Sequence, residues 1–132
     1  MYTHIMVGSA DVERSRKFYD ATMPVLGHNV AAQPEGATRL FYGQFGTGMF
    51  AVGHPANGEA ACFANGGTIG LIATDKDAVD GWHAAGLASG GTTEGEPGLR
   101  PGAPGRAYGA YLRDPDGNKL CAFCQLPADV EA

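Results

Sequence analysis

The histidines and cysteines, the side chains best suited to nucleophilic or soft-metal chemistry, are few in this sequence: four and three. Cys121 and Cys124 form Cys-Ala-Phe-Cys, which has the spacing of a redox dithiol. The pair sits in an apolar, strand-like run, however, and not at a helix start, where a thiolate would be favoured. Reduced, buried thiols are therefore expected for Cys62, Cys121 and Cys124, with Lys119 the one cation close in sequence to Cys121. His28, His54 and His83 have no partners at ligand spacing and are expected at the surface. Arg39, Tyr42, Arg100, Arg106, Tyr108 and Arg113 are candidates to orient an anionic or polar ligand, since a guanidinium can give two parallel hydrogen bonds to a carboxylate. Arg113, beside Asp114, also has the place of a structural ion pair. No Ser/His/Asp order, phosphate-cradling glycine loop or useful pair of acids stands out.

The elements that would position these groups come in two copies. Thr3-His4-Ile5-Met6-Val7 lies over Gly67-Thr68-Ile69-Gly70-Leu71, Asp11 over Asp75, Phe18 over Trp82 and Gly27 over Gly91, a constant offset of 64. Farther on the offset reads as 71, with Phe41 over Leu112, Gly46 over Gly117 and Phe50 over Cys121. Such a repeat implies paired supersecondary units. Module one is placed at about residues 1–55 and module two at about 66–126.

Alternation over His4–Ser9 predicts a strand, with Ile5 and Val7 on one face and His4 and Met6 on the other. Asp11 can cap a helix from Val12 to about Thr22 whose inner stripe is Val12, Ser15, Phe18, Tyr19 and Thr22, ended by Pro24 and Gly27. Strands are then expected near 29–33, 38–45 and 48–52. The second copy predicts a strand at 68–73 and a helix at about 76–88 with Val79, Trp82 and Leu87 inward. Strands near 91–94, 107–113 and 119–125 follow, with a strong turn at Asp114-Pro115-Asp116-Gly117-Asn118. The stretch Glu94–Arg106, rich in proline and glycine, reads as a loop, either a lid over a site or a surface excursion.

Composition narrows the function classes. A chain of 132 residues, 44% apolar and 17% charged, fits one globular domain that buries about two-thirds of its unfolded surface. The net charge of −5 gives no basic footprint for nucleic acid or an anionic membrane. No apolar run approaches a bilayer span, and the first residues lack the pattern of a secretory signal, so a cytoplasmic protein is expected.

Thr3-His4-Ile5, Ser15-Arg16-Lys17-Phe18-Tyr19 and above all Tyr111-Leu112-Arg113-Asp114-Pro115-Asp116-Gly117-Asn118-Lys119-Leu120 resemble the glyoxalase, bleomycin-resistance and extradiol-dioxygenase superfamily. This is the vicinal oxygen chelate fold. The resemblance implies an α+β fold of two tandem β-α-β-β-β modules that curl into a half-open barrel. Four symmetry-related positions facing into it can hold a metal in that family. Carried onto this chain they are His4, Phe50, Thr68 and Cys121, where family enzymes commonly have histidine in place of Thr68 and glutamate in place of Cys121.

A Lewis-acid metal needs about three protein ligands with open positions for substrate. His4 and Cys121 alone make a degenerate site, one that would take zinc or copper rather than a hard cation. The resemblance thus implies a bleomycin-resistance-like binder that encloses a small organic molecule between His4, Phe50, Thr68, Tyr108 and Cys121. It would be a homodimer, with no cofactor expected. The alternative is a metal-dependent lyase or dioxygenase-type oxidoreductase in which His4, Cys121 and a further ligand hold a divalent metal. Trp82, on the inner helical stripe, is expected in the core.

Overall fold

A computed structural model describes all residues, 1–132. The first module runs β1 (His4–Gly8), α1 (Val12–Thr22), a single 3-10 turn at Pro24–Leu26, β2 (Arg39–Gln44) and β3 (Gly48–Gly53). The second runs β4 (Ile69–Ile72), α2 (Lys76–Ala88), β5 (Thr92–Leu99), β6 (Ala107–Arg113) and β7 (Lys119–Gln125). Each module builds one mixed sheet, ordered β1-β3-β2 in the first (sheet A) and β4-β7-β6-β5 in the second (sheet B). In both, the first strand pairs parallel with the last, the crossover being the helix. The two sheets do not close into a barrel.

Local chemistry explains the helix ends. Asp11 accepts from the Arg14 amide at 3.1 Å and Asp75 from the Ala78 amide at 2.8 Å, each satisfying one free donor of the first turn. Pro24 and then Gly27, at φ 91°, stop the first helix. The buried stripe of α1 is Val12, Ser15, Phe18, Tyr19 and Thr22, as its spacing predicts. It packs on α2, and Phe18, Tyr19 and Trp82 are fully buried between the layers. Truncating Phe18 or Trp82 to alanine should cost roughly 3–5 kcal/mol.

Three expectations need correction. Residues 29–33 form no strand, because side chains take the bonds a ladder would make: the Ala31 amide donates to Asp20 at 2.9 Å and Gln33 accepts from the Phe41 amide at 3.0 Å. Strand β5 extends to Leu99 along the sheet edge, with register shifts between Thr93 and Gly95 and between Gly95 and Gly98 that accommodate Pro97. The long loop shrinks to a hairpin connection, pinned where the Arg100 amide donates to Ala107 O at 2.9 Å and Arg106 donates to Pro127 O. Leu87 is exposed, and Gly86 takes the inner position, because Leu112 and Phe18 press against it where any Cβ would collide with Leu112.

The Asp114–Asn118 turn is a clamp between modules. Buried Asp114 receives Tyr19 Oη from α1 at 2.5 Å, Asn118 Nδ2 at 2.9 Å and the amides of Asp116 and Asn118, both at 2.9 Å. Asn118 Nδ2 also donates to Gly8 O at 2.9 Å. Asp116 accepts from the Ala10 amide at 2.8 Å, Arg14 Nη2 at 2.9 Å and Ser15 Oγ at 3.2 Å. Burial raises the Asp114 carboxyl above its ordinary range, opposed by the hydrogen bonds from Tyr19 and Asn118. The turn is thus bonded to module one at Gly8, Ala10, Arg14, Ser15 and Tyr19.

Candidate functional site

Pairing fixes which side chains share a face. In sheet A, Ile5 and Tyr42 lie opposite Phe50, and Leu40 opposite Val52; these point to α1, since the Phe50 ring centre is 5.1 Å from that of Tyr19. His4 lies opposite Met49 and Met6 opposite Ala51, on the outward face. In sheet B, Leu112 and Leu120 point to α2, and Tyr111 and Cys121 point outward.

This register corrects the repeat. Ile5 pairs with Phe50, and its counterpart Ile69 pairs with Leu120. The last strands are therefore offset by 70, from Phe50 to Leu120, and not by 71. A slip of one residue carries a strand residue to the opposite face. The counterpart of Cys121 is Ala51, and Phe50 is a core residue.

The proposed cavity residues consequently separate. His4 is exposed on the outward face of sheet A, its Nδ1 2.9 Å from Thr3 Oγ1. Thr68 is exposed just before β4. Cys121 is buried on the outward side of sheet B, where desolvation pushes its thiol up against the weaker opposite pull of Lys119. Tyr108 points inward, donating to Asp80 of α2 at 2.6 Å, and burial with that bond pushes its phenol up to about 12. No three His, Cys, Asp or Glu side chains come together to hold an ion. His4 and Cys121 lie on different sheets, and the donor set within one chain does not fit a catalytic metal.

The other candidates also sort by contact. His83 is buried, against expectation, its Nε2 2.8 Å from Thr93 Oγ1 beneath α2. His28 and His54 are exposed, His54 with Nδ1 3.1 Å from Ser9 O. Cys62 is exposed, while Cys124 is buried, on the face opposite Cys121. Arg113 is held by Glu94 at 2.7 Å and Gly117 O at 2.8 Å. Arg39 is exposed, and Tyr42 donates to Asp20 at 2.8 Å.

What the structure assembles instead is a cleft of about 490 Å³ between module one and the free edge strand β4. Ile5, Met23, Leu26, Tyr42, Met49 and Phe50 line it from one side and Ile69–Ile72 from the other, with His28, Thr47 and Thr74 as polar groups. Of the cavity residues named from sequence, only Phe50 reaches it. The cleft lies where the two sheets fail to meet, a junction that residue types alone do not reveal. The signal for β4 was its repeat of β1, and for Met23 and Leu26 there was none beyond apolarity.

Two mixed sheets, each crossed by one helix and related by an internal repeat, define a paired-module α+β protein with a groove between its halves. The whole-chain comparisons place it further. Residues 2–122 match the model of the Glyoxalase/Bleomycin resistance protein/Dioxygenase superfamily, and the chain belongs to that family. A glyoxalase/bleomycin resistance protein from Albidiferax ferrireducens T118 is 44% identical, with TM-score 0.85 over 96% of this chain and 99% of that one. A glyoxalase-related enzyme from Fulvimarina pelagi superposes with TM-score 0.73 at 19% identity, over 99% of this chain and 95% of that one. A lactoylglutathione lyase from Agrobacterium tumefaciens gives TM-score 0.62 at 21% identity, over 93% and 92%. No curated protein matches the sequence.

Proposed function

We propose that this protein binds a small organic molecule in the cleft between its modules, its metal site being degenerate: of the four carried-over positions only His4 and Cys121 keep ligand-type side chains, and neither lines the cleft. The cleft carries the reading: about 490 Å³ is in the range of small-molecule sites. Its walls are mostly apolar, and Tyr42, His28, Thr47 and Thr74 can fix a ligand's orientation. Loss of hard metal ligands agrees with enclosure rather than transformation of the ligand.

A homodimer is part of the proposal. Strands β1 and β4 end their sheets with unpaired edges, and Met6, Phe41 and Ile72 are exposed on the sheets. Such edges and apolar side chains are normally covered.

The second reading, a metal-dependent lyase or oxidoreductase, is favoured by His4, which is exposed and has Nε2 free of any bond within the chain. Elemental analysis by mass spectrometry after incubation with Zn, Mn, Fe and Ni separates the two. The binder reading expects far less than one metal per chain. One metal per chain, lost in both His4→Ala and Cys121→Ser, would establish the enzyme reading. Binding of the neutral fluorophore aminoanthracene tests the cleft: Met49→Ser should weaken it severalfold, and an unchanged affinity removes the cleft as the site.

A further inference from the structure

Beside the cleft, the outward face of sheet B carries a charged aromatic floor. Tyr111 on β6 lies opposite Cys121, which lies opposite the cleft residue Gly70. Its ring is edge-on to Phe123, centres 5.7 Å apart at 81°. The Arg100 guanidinium carbon is 5.6 Å from the Tyr111 ring centre and Lys119 Nζ is 5.2 Å from it. All four side chains are half-buried.

The two cations have no close ion-pair partner, although Lys119 helps to lower the Glu94 carboxyl. Neither takes part in any of the ion pairs of the chain, and the single side-chain bond of Arg100 goes to Glu96 O at 2.6 Å. Glu94 is engaged with Arg113 at 2.7 Å, and Asp114 and Asp116 in the clamp. In a chain of net charge −5, two cations on one ring without a close ion pair are a local concentration of positive charge.

The backbone beneath leaves room for these side chains. A Cβ at Gly95 would stand 3.0 Å from Arg100 Nη2 and 3.1 Å from Tyr111 Cδ2, and one at Gly109 only 2.6 Å from the Phe123 ring. Glycine at both positions lets the side chains lie against the strands.

We infer that this face recognises a small planar carboxylate, whose ring or conjugated chain packs against the edge-on Tyr111–Phe123 pair while its carboxylate meets Arg100 and Lys119. The inference goes beyond the proposed binding in the cleft, since none of these four side chains lines it. Contact with the Tyr111 ring holds both positive charges in place before a ligand arrives, which reduces the ordering cost of binding. The guanidinium fork adds direction toward a carboxylate. A compact inorganic anion would meet the charges and leave the aromatic floor unused.

Calorimetric titration of the full chain with benzoate, its neutral isostere benzamide and inorganic phosphate tests this. Benzoate should bind about tenfold more tightly than benzamide or phosphate, equal to about 1.4 kcal/mol. The double variant Arg100→Gln, Lys119→Met should bring benzoate and benzamide within about twofold, and Tyr111→Leu should weaken both. No saturable benzoate binding, no preference over benzamide, equal binding of phosphate, or an indifferent double variant each overturns the inference. Aminoanthracene binding sensitive to Met49→Ser, alongside any of those results, leaves the cleft reading standing and sinks only the carboxylate; failure of both probes sinks both.

Discussion

The β2–β3 turn and the β6–β7 turn hold the same place in two copies of one module, and they have been put to opposite uses. With the offset of 70, Gln44, Gly46 and Gly48 stand where Asp114, Asp116 and Asn118 stand. The second turn is polar, largely buried and bonded to module one at Gly8, Ala10, Arg14, Ser15 and Tyr19. The first is exposed, with Phe45 at 77% exposure, and its Gly46, Thr47 and Gly48 form a rim of the cleft. Duplication gave two equivalent corners: side chains with acceptors made one a clamp, and glycines left the other open beside a groove.

The largest test of that contrast is Asp114→Ala, which strands the buried donors of Tyr19 and Asn118. We expect a loss of about 3 kcal/mol or more in urea unfolding, whereas Gln44→Ala at the matching position should stay within about 0.5 kcal/mol. Equal effects would mean that the clamp does not hold the modules. Asn118→Ala, which removes the bond to Gly8 O and one to Asp114, should cost about 1–3 kcal/mol.

A pH series sharpens the comparison further. Because burial raises the folded Asp114 carboxyl above its unfolded value near 3.8, its contribution is fully present below that value and is lost as pH rises through the raised one. The stability of the native chain minus that of Asp114→Asn should therefore fall with rising pH across the acid range and then level off; a difference that grows instead would show that the hydrogen bonds outweigh burial. The smallest effect is expected at the open corner. Thr47→Ala should change stability by less than about 0.5 kcal/mol, and aminoanthracene affinity is the readout in which it should appear.

Much of the fold was legible because its signals are local and repeated. Asp11 and Asp75 as caps, the stripe from Val12 to Thr22, and the Asp114–Asn118 turn each depend on residues within a few positions of one another. Residues 29–33 misled because apolar alternation does not show that Asp20 and Gln33 will take the amides. Strand β5 was cut short because Pro97 argues against a ladder except at an edge, and edge position is a tertiary property. The site was less legible for one reason above all. Tyr111, Lys119 and Phe123 share the face of Cys121 by simple alternation, but an offset read one residue too long substituted Phe50 for Ala51 and mixed core with surface. Hairpin pairing, in which Leu112 faces Leu120 across the turn, was the signal that could have set the parity.

The clamp also sets a timetable. Its bonds join residues as far as 106 and 110 positions apart, so module one leaves the ribosome long before the groups that secure it. At roughly 5–20 residues per second, Asp116 follows Ala10 by about 5–20 s. For that interval the Tyr19 hydroxyl, the Gly8 carbonyl and the Ala10 amide lack their clamp partners, and the first module is a half-structure waiting to be captured. A chain organised this way locks late and all at once, and premature meeting of two waiting first modules is the misassembly it has to outrun.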